Sequence, residues 1–124
     1  MKKSIILAAT CLLQLVTAPV WAHTEHGKPQ FGGVIAEAGA AQFEIVGEGT
    51  KIVVHATNHG KPLDTAGAKG KLTLLDGAAK SEVTLAPAGP NRLEGAGSLP
   101  HGAKLLIHVE WPGRKPLQGR AVAP

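Results

Sequence analysis

From residue 31 onward the chain alternates between apolar and polar positions in short runs, the period-2 pattern of strands with one wet face. In Ala41 to Val46, Phe43 and Ile45 fall on one face, and Gln42 and Glu44 fall on the other. Lys80 to Ala86 alternates in the same way. Ala103 to Trp111 is the longest such run, with Leu105, Ile107, Val109 and Trp111 inward and Lys104, His108 and Glu110 outward. Further strands are expected over 31–38, 51–57, 71–75, 91–96 and 117–122, with Gly32-Gly33 marking a bulge in the first. Turns are signalled by Gly47-Glu48-Gly49, Asn58-His59-Gly60-Lys61-Pro62, Asp76-Gly77, Pro87-Ala88-Gly89-Pro90 and Pro112-Gly113. The pattern puts Phe43, Ile45, Leu72, Leu74, Val83, Leu85, Ile107 and Val109 in the core.

No run of ten or more residues carries a helical apolar stripe. Strands recurring every ~8–12 residues, each with one wet face, predict an all-β domain: a small antiparallel immunoglobulin-like β-sandwich of about seven to eight short strands. So small a core leaves little room for an enclosed ligand cavity of the usual several hundred Å³.

The first 22 residues read differently. Lys2 and Lys3 precede a mostly apolar run from Ile5 to Val20, and Val20-Trp21-Ala22 resembles a cleavage site before His23. These are the three parts of a secretory signal. At about 16 residues the apolar run is shorter than the roughly 20 of a spanning helix, and Pro19 breaks its end. The expected division is a signal peptide at 1–22, a mobile His-containing tail at 23–30, and the β-sandwich domain at 31–124. The mature protein is then periplasmic or secreted and has no membrane span.

Removing 1–22 also removes the chain's single Cys and single Met, so sulfur chemistry and soft-ligand metal sites go with them. Without Lys2 and Lys3, eleven Lys and Arg face nine Asp and Glu, for a net charge of +2. The basic residues are dispersed, and the remaining aromatics are Phe31, Phe43 and Trp111. Nucleic-acid binding needs a basic stripe with stacking aromatics, so that function is rejected. Ser81 and Ser98, the only serines after the leader, lack a nucleophile-elbow setting. An enzyme is not expected.

The enriched chemical group is histidine, at positions 23, 26, 55, 59, 101 and 108. Cleavage after Ala22 makes His23 the N-terminal residue, whose free amine and ring nitrogen form a chelate. Both groups shed protons near neutral pH. His26 lies three residues on and Glu25 adds a carboxylate. Nitrogen donors without sulfur suit Cu(II), with Zn(II) and Ni(II) behind it in the usual affinity order. If every connection reverses direction, His101 shares an end of the domain with His23 and His26, while His55, His59 and His108 gather towards the other. The candidate metal ligands are therefore His23, His26 and His101. Alone, His55 reads as a half-buried strand residue and His108 as a surface one. The repeated His-Gly-Lys-Pro at 26–29 and 59–62 reads as turn chemistry.

Gly60-Lys61-Pro62-Leu63, followed by Gly67-Ala68-Lys69-Gly70-Lys71-Leu72-Thr73-Leu74, resembles a pattern in small periplasmic immunoglobulin-like β-sandwich proteins associated with copper handling and heavy-metal efflux. A His-bearing tail before Phe31-Gly32-Gly33-Val34 is similar to that group too. The resemblance implies export, the same fold and a role in metal handling or resistance, with an envelope efflux or metal-handling protein as partner. It carries over no ligand set. The alternative reading is a metal-free interaction module accessory to an envelope or efflux complex.

Overall fold

The computed structural model describes residues 28–124, so the proposed leader and both tail histidines, His23 and His26, lie outside the described residues. Nine strands follow in order: β1 (Val34–Ala38), β2 (Ala41–Glu48), β3 (Lys51–Asn58), β4 (Lys61–Pro62), β5 (Lys69–Asp76), β6 (Ala79–Pro87), β7 (Arg92–Ala96), β8 (Lys104–Glu110) and β9 (Leu117–Val122). Among the described residues there is no helix, and so none long and apolar enough to cross a membrane. The expected strands and turns are found with one addition and with the first strand shortened, so that Gly32-Gly33 precede it and form no bulge. Lys61-Pro62 folds back on Asn58 and Thr57 as β4, through a turn in which His59 and Gly60 both take positive φ, 49° and 77°. Two successive positive φ values define the hairpin turn that matches strand twist, and Gly supplies the second at no steric cost.

All pairing is antiparallel, in the order β1-β2-β3-β7-β6-β5-β8-β9. β6 belongs to two layers. Its Ala79 to Leu85 pair with β5, and its last two residues, Ala86 and Pro87, leave that partner for Glu94 and Leu93 of β7. β5, β6 and β7 form a meander, and β8 returns to lie beside β5, which is a Greek key. β1 at one end of the order lies against β9 at the other, so the sandwich closes towards a barrel.

Alternation predicts most of the core. Phe43, Ile45, Leu72, Ile107 and Val109 are fully buried, with Leu85 and Leu74 nearly so, and Leu105 and Trp111 join them. Val83 is the exception and is only partly buried, packed at the margin of the cluster. The crossover from β4 to β5 is held by polar contacts. The buried Thr65 hydroxyl lies 3.0 Å from two carbonyls, those of Gly89 and Arg92, and the Trp111 indole N–H donates to the carbonyl of Asp64 at 3.1 Å.

Two expectations fail on the β1–β2–β3 side. The first strand begins at Val34, not at Phe31, because residues 30–33 bend across the outer face of β2 and β3. Glu44, expected on the wet face, is 4% exposed. Both follow from one contact, which organises the candidate site.

Candidate functional site

Glu44 projects from the middle of β2 away from the core, since Phe43 and Ile45 on either side point inward. Its carboxylate accepts three backbone N–H groups, from Gln30 (2.6 Å), Phe31 (2.7 Å) and Gly33 (3.0 Å). Hydrogen bonds to an ionised acceptor are stronger than neutral ones. Three of them compensate the burial of a charge that would otherwise be costly. The segment 30–33 is thus strapped to the sheet face. Gly33 is required there, because a Cβ at this position would run into the Ile45 carbonyl and the Val46 side chain. The strap also helps to explain why Val46, on the same outward face as Glu44 and against Gly33, is buried although it does not belong to the core cluster.

His55 is the cross-strand neighbour of Glu44 on β3. Phe31 lies flat on its imidazole, with ring centroids 3.7 Å apart and planes 12° from parallel. Burial lowers the His55 pKa from its usual value. Arg92, opposite on β7, adds to that, while Glu44 and Glu48 pull the other way. Arg92 itself donates to Glu94.

Beside this stack a surface groove of about 530 Å³ is lined by residues that include Lys28, Phe31, Gln42, His55, Thr57 and His59. Among the described residues no carboxylate lines it, although Glu44 lines the smaller pocket that adjoins it. The described start of the tail therefore opens onto two imidazoles and two carboxamides, those of Gln42 and Asn91. The groove was not foreseen. It lies on the outside of one sheet, where the core bookkeeping does not reach.

The four described histidines are not gathered in one place. His55 and His59 share the groove. His101 is exposed in the loop between β7 and β8, at the Lys51 end of the sheet, because Ala96 pairs with Lys51. Lys28 lies beside Gln42 and Thr57, near the opposite end of β3. His108 points outward from the other sheet, across the core from His55. Gln118 Nε2 sits 2.8 Å from its Nδ1 and Glu110 Oε2 lies 3.8 Å from its Nε2. The grouping of His101 with the tail, expected from strictly alternating strand directions, is not the one residues 28–31 follow. The strand directions themselves keep the expected alternation, which puts His101 with the turns 48–50 and 76–79 at the Lys51 end. The strap alone, doubling back across β2 and β3, takes residues 28–31 towards the other end. His55, His59 and His108 lie towards that other end as expected, but on two faces, His55 and His59 outside one sheet and His108 outside the other. Among the described residues no three His, Cys, Asp or Glu side chains converge as a ligand set. The sequence signals that could have revealed the strap are Gly33, which admits the close approach, and Phe31, an aromatic that covers a ring with one face and stays 55% exposed. No protein-family model, curated protein or solved structure matches the chain.

Proposed function

We propose that this is an exported, periplasmic protein that binds a divalent metal ion, Cu(II) foremost, in metal handling or resistance. The ion is held by a chelate of the His23 amine and ring, assisted by His26. The observation that supports the reading is the Glu44 clamp. It fixes Gln30, Phe31 and Gly33, and Lys28, two positions after His26 in the sequence, lies on a groove whose described lining includes the imidazoles of His55 and His59 and no carboxylate. A borderline divalent cation prefers such nitrogen donors, whereas Mg²⁺ and Ca²⁺ require oxygen ligands.

The test is a calorimetric copper titration of mature protein beginning at His23, compared with a form carrying one additional Ala before it. The extension removes the amine chelate and leaves every side chain present. One Cu(II) should bind the native protein, and the extended form should bind it clearly more weakly. Binding should also weaken below about pH 6, where protons compete for imidazole and amine. Identical titrations would sink the N-terminal chelate and favour a metal-free interaction module of the envelope.

A further inference from the structure

We infer that the outer face of β6, β5, β8 and β9 docks on the surface of a bilayer that carries anionic phospholipid headgroups. This face shares no residue with the proposed metal chelate.

Basic residues scattered along the sequence meet here because the strands alternate. Leu72, Leu74, Leu105 and Ile107 pack in the core, so the positions between them point outward. Those outward positions carry Lys69, Lys71, Lys80, Lys104 and Arg120, against the carboxylates of Glu82 and Glu110. The outer face of β1, β2, β3 and β7 has the reverse balance, with Glu37, Glu44, Glu48 and Glu94 against Lys51 and Arg92. The small net charge of the mature chain thus hides two faces of opposite sign.

One row across the basic face is also apolar. The register sets Lys80, Leu75, Lys104 and Val122 side by side, over about 14 Å at the usual strand spacing. Leu75 is 41% exposed and Val122 57%, two of the three exposed large apolar side chains among the described residues. In the next row Arg120 lies beside half-buried Leu106. Glu82 is drawn to Lys71 and Glu110 to His108. Among the described residues Lys80, Lys104 and Arg120 form no ion pair.

This chemistry suits a headgroup layer better than a protein partner. Protein interfaces are enriched in aromatics and Arg and depleted in Lys, whereas this row alternates Lys with aliphatic side chains. Lysine lays its apolar stem along apolar surface and keeps its ammonium in a polar layer, an arrangement favoured at membrane interfaces. Leu75 and Val122 then enter the boundary between headgroups and acyl chains, and the three cations meet lipid phosphates. Apolar burial and electrostatic attraction add. A nucleic-acid backbone matches the cations but offers nothing to Leu75 and Val122.

The experiment is co-sedimentation of protein beginning at His23, which lacks the apolar leader, with vesicles of phosphatidylcholine alone or mixed with phosphatidylglycerol. The protein should attach to the mixed vesicles and not to the neutral ones. Lys80→Gln combined with Lys104→Gln should lower that partitioning roughly twenty- to thirtyfold, about fivefold for each lysine held at an anionic surface. Lys51→Gln combined with Lys61→Gln removes the same charge from the opposite layer. That pair should change partitioning by less than about threefold, since charges beyond a Debye length from the lipid are screened. In native protein a paramagnetic lipid should broaden the amide signals of Leu75, Lys104 and Val122 and spare those of His55 and Thr57, a readout that needs no variant. No attachment to mixed vesicles, equal attachment to neutral ones, equal losses in the two pairs, or broadening that misses this row overturns the inference. Binding of a DNA duplex or of glycerophosphate through these residues, without attachment to vesicles, also overturns it and assigns the face to soluble phosphates.

Discussion

His55 couples the strap to proton concentration. Its folded pKa is lowered, first by burial and then by Arg92, so near pH 6 the unfolded chain binds the proton more readily than the folded one. Stability rises with pH wherever the unfolded state binds more protons. The contribution of His55 in the metal-free protein is therefore fully present above the unfolded value of about 6.5 and is lost as pH falls from there towards the folded value. Urea midpoints of metal-free protein should decline from pH 7.5 to pH 5.5, and His55→Gln should flatten that decline. An equal slope in both proteins would mean that another group carries it. Nothing in the residues around His55 announces this shift, because its causes lie on β2, β7 and the strap.

At the scale of elements, strand periodicity made β2, β3, β5, β8 and β9 legible, because each alternates against a core on one side. Periodicity fails where its premise fails, namely that the outward face is wet. Glu44 and Val46 obey the alternation yet are buried, since a segment eleven or more residues upstream of Glu44 lies across them. A polar, Pro- and Gly-containing stretch such as Lys28 to Gly33 carries no periodic trace of such a contact. The strap has a sharp dependence on one charge. Glu44→Gln retains the shape but presents a neutral amide to three donors, so about 1–3 kcal/mol of stability should be lost. The Phe31 and Gly33 amides should exchange with solvent markedly faster, and by more than those of β8, whose exchange should quicken only by the loss of global stability. Unchanged protection at Phe31 and Gly33 would show that the clamp does not hold them.

For the whole molecule, the two layers depend on one another through the centre of the sandwich. Ile107 is fully buried, between Leu72 on β5 and Gly119 on β9 in the register. Ile107→Ala should cost about 2–5 kcal/mol by denaturant unfolding, the range for large-to-small changes in well-packed cores. A loss under about half a kcal/mol would place that side chain outside the packing it is assigned. The sandwich was readable because strand count and spacing follow from local turns. The passage of β6 from one layer to the other was not, because Ala86 and Pro87 carry no mark of the partner they change to.

The indole that ties Asp64 to the end of β8 also makes the protein report on itself. Trp111 is 8% exposed, its N–H is engaged by Asp64, and it is the only Trp among the described residues of a chain with no Tyr. In protein prepared to begin at His23, which lacks Trp21, emission excited near the red edge of absorption comes from this one ring. Its colour then reads the seating of the β4–β5 crossover. An optical change that precedes the loss of sheet signal would show that loop coming away first, without any label being attached.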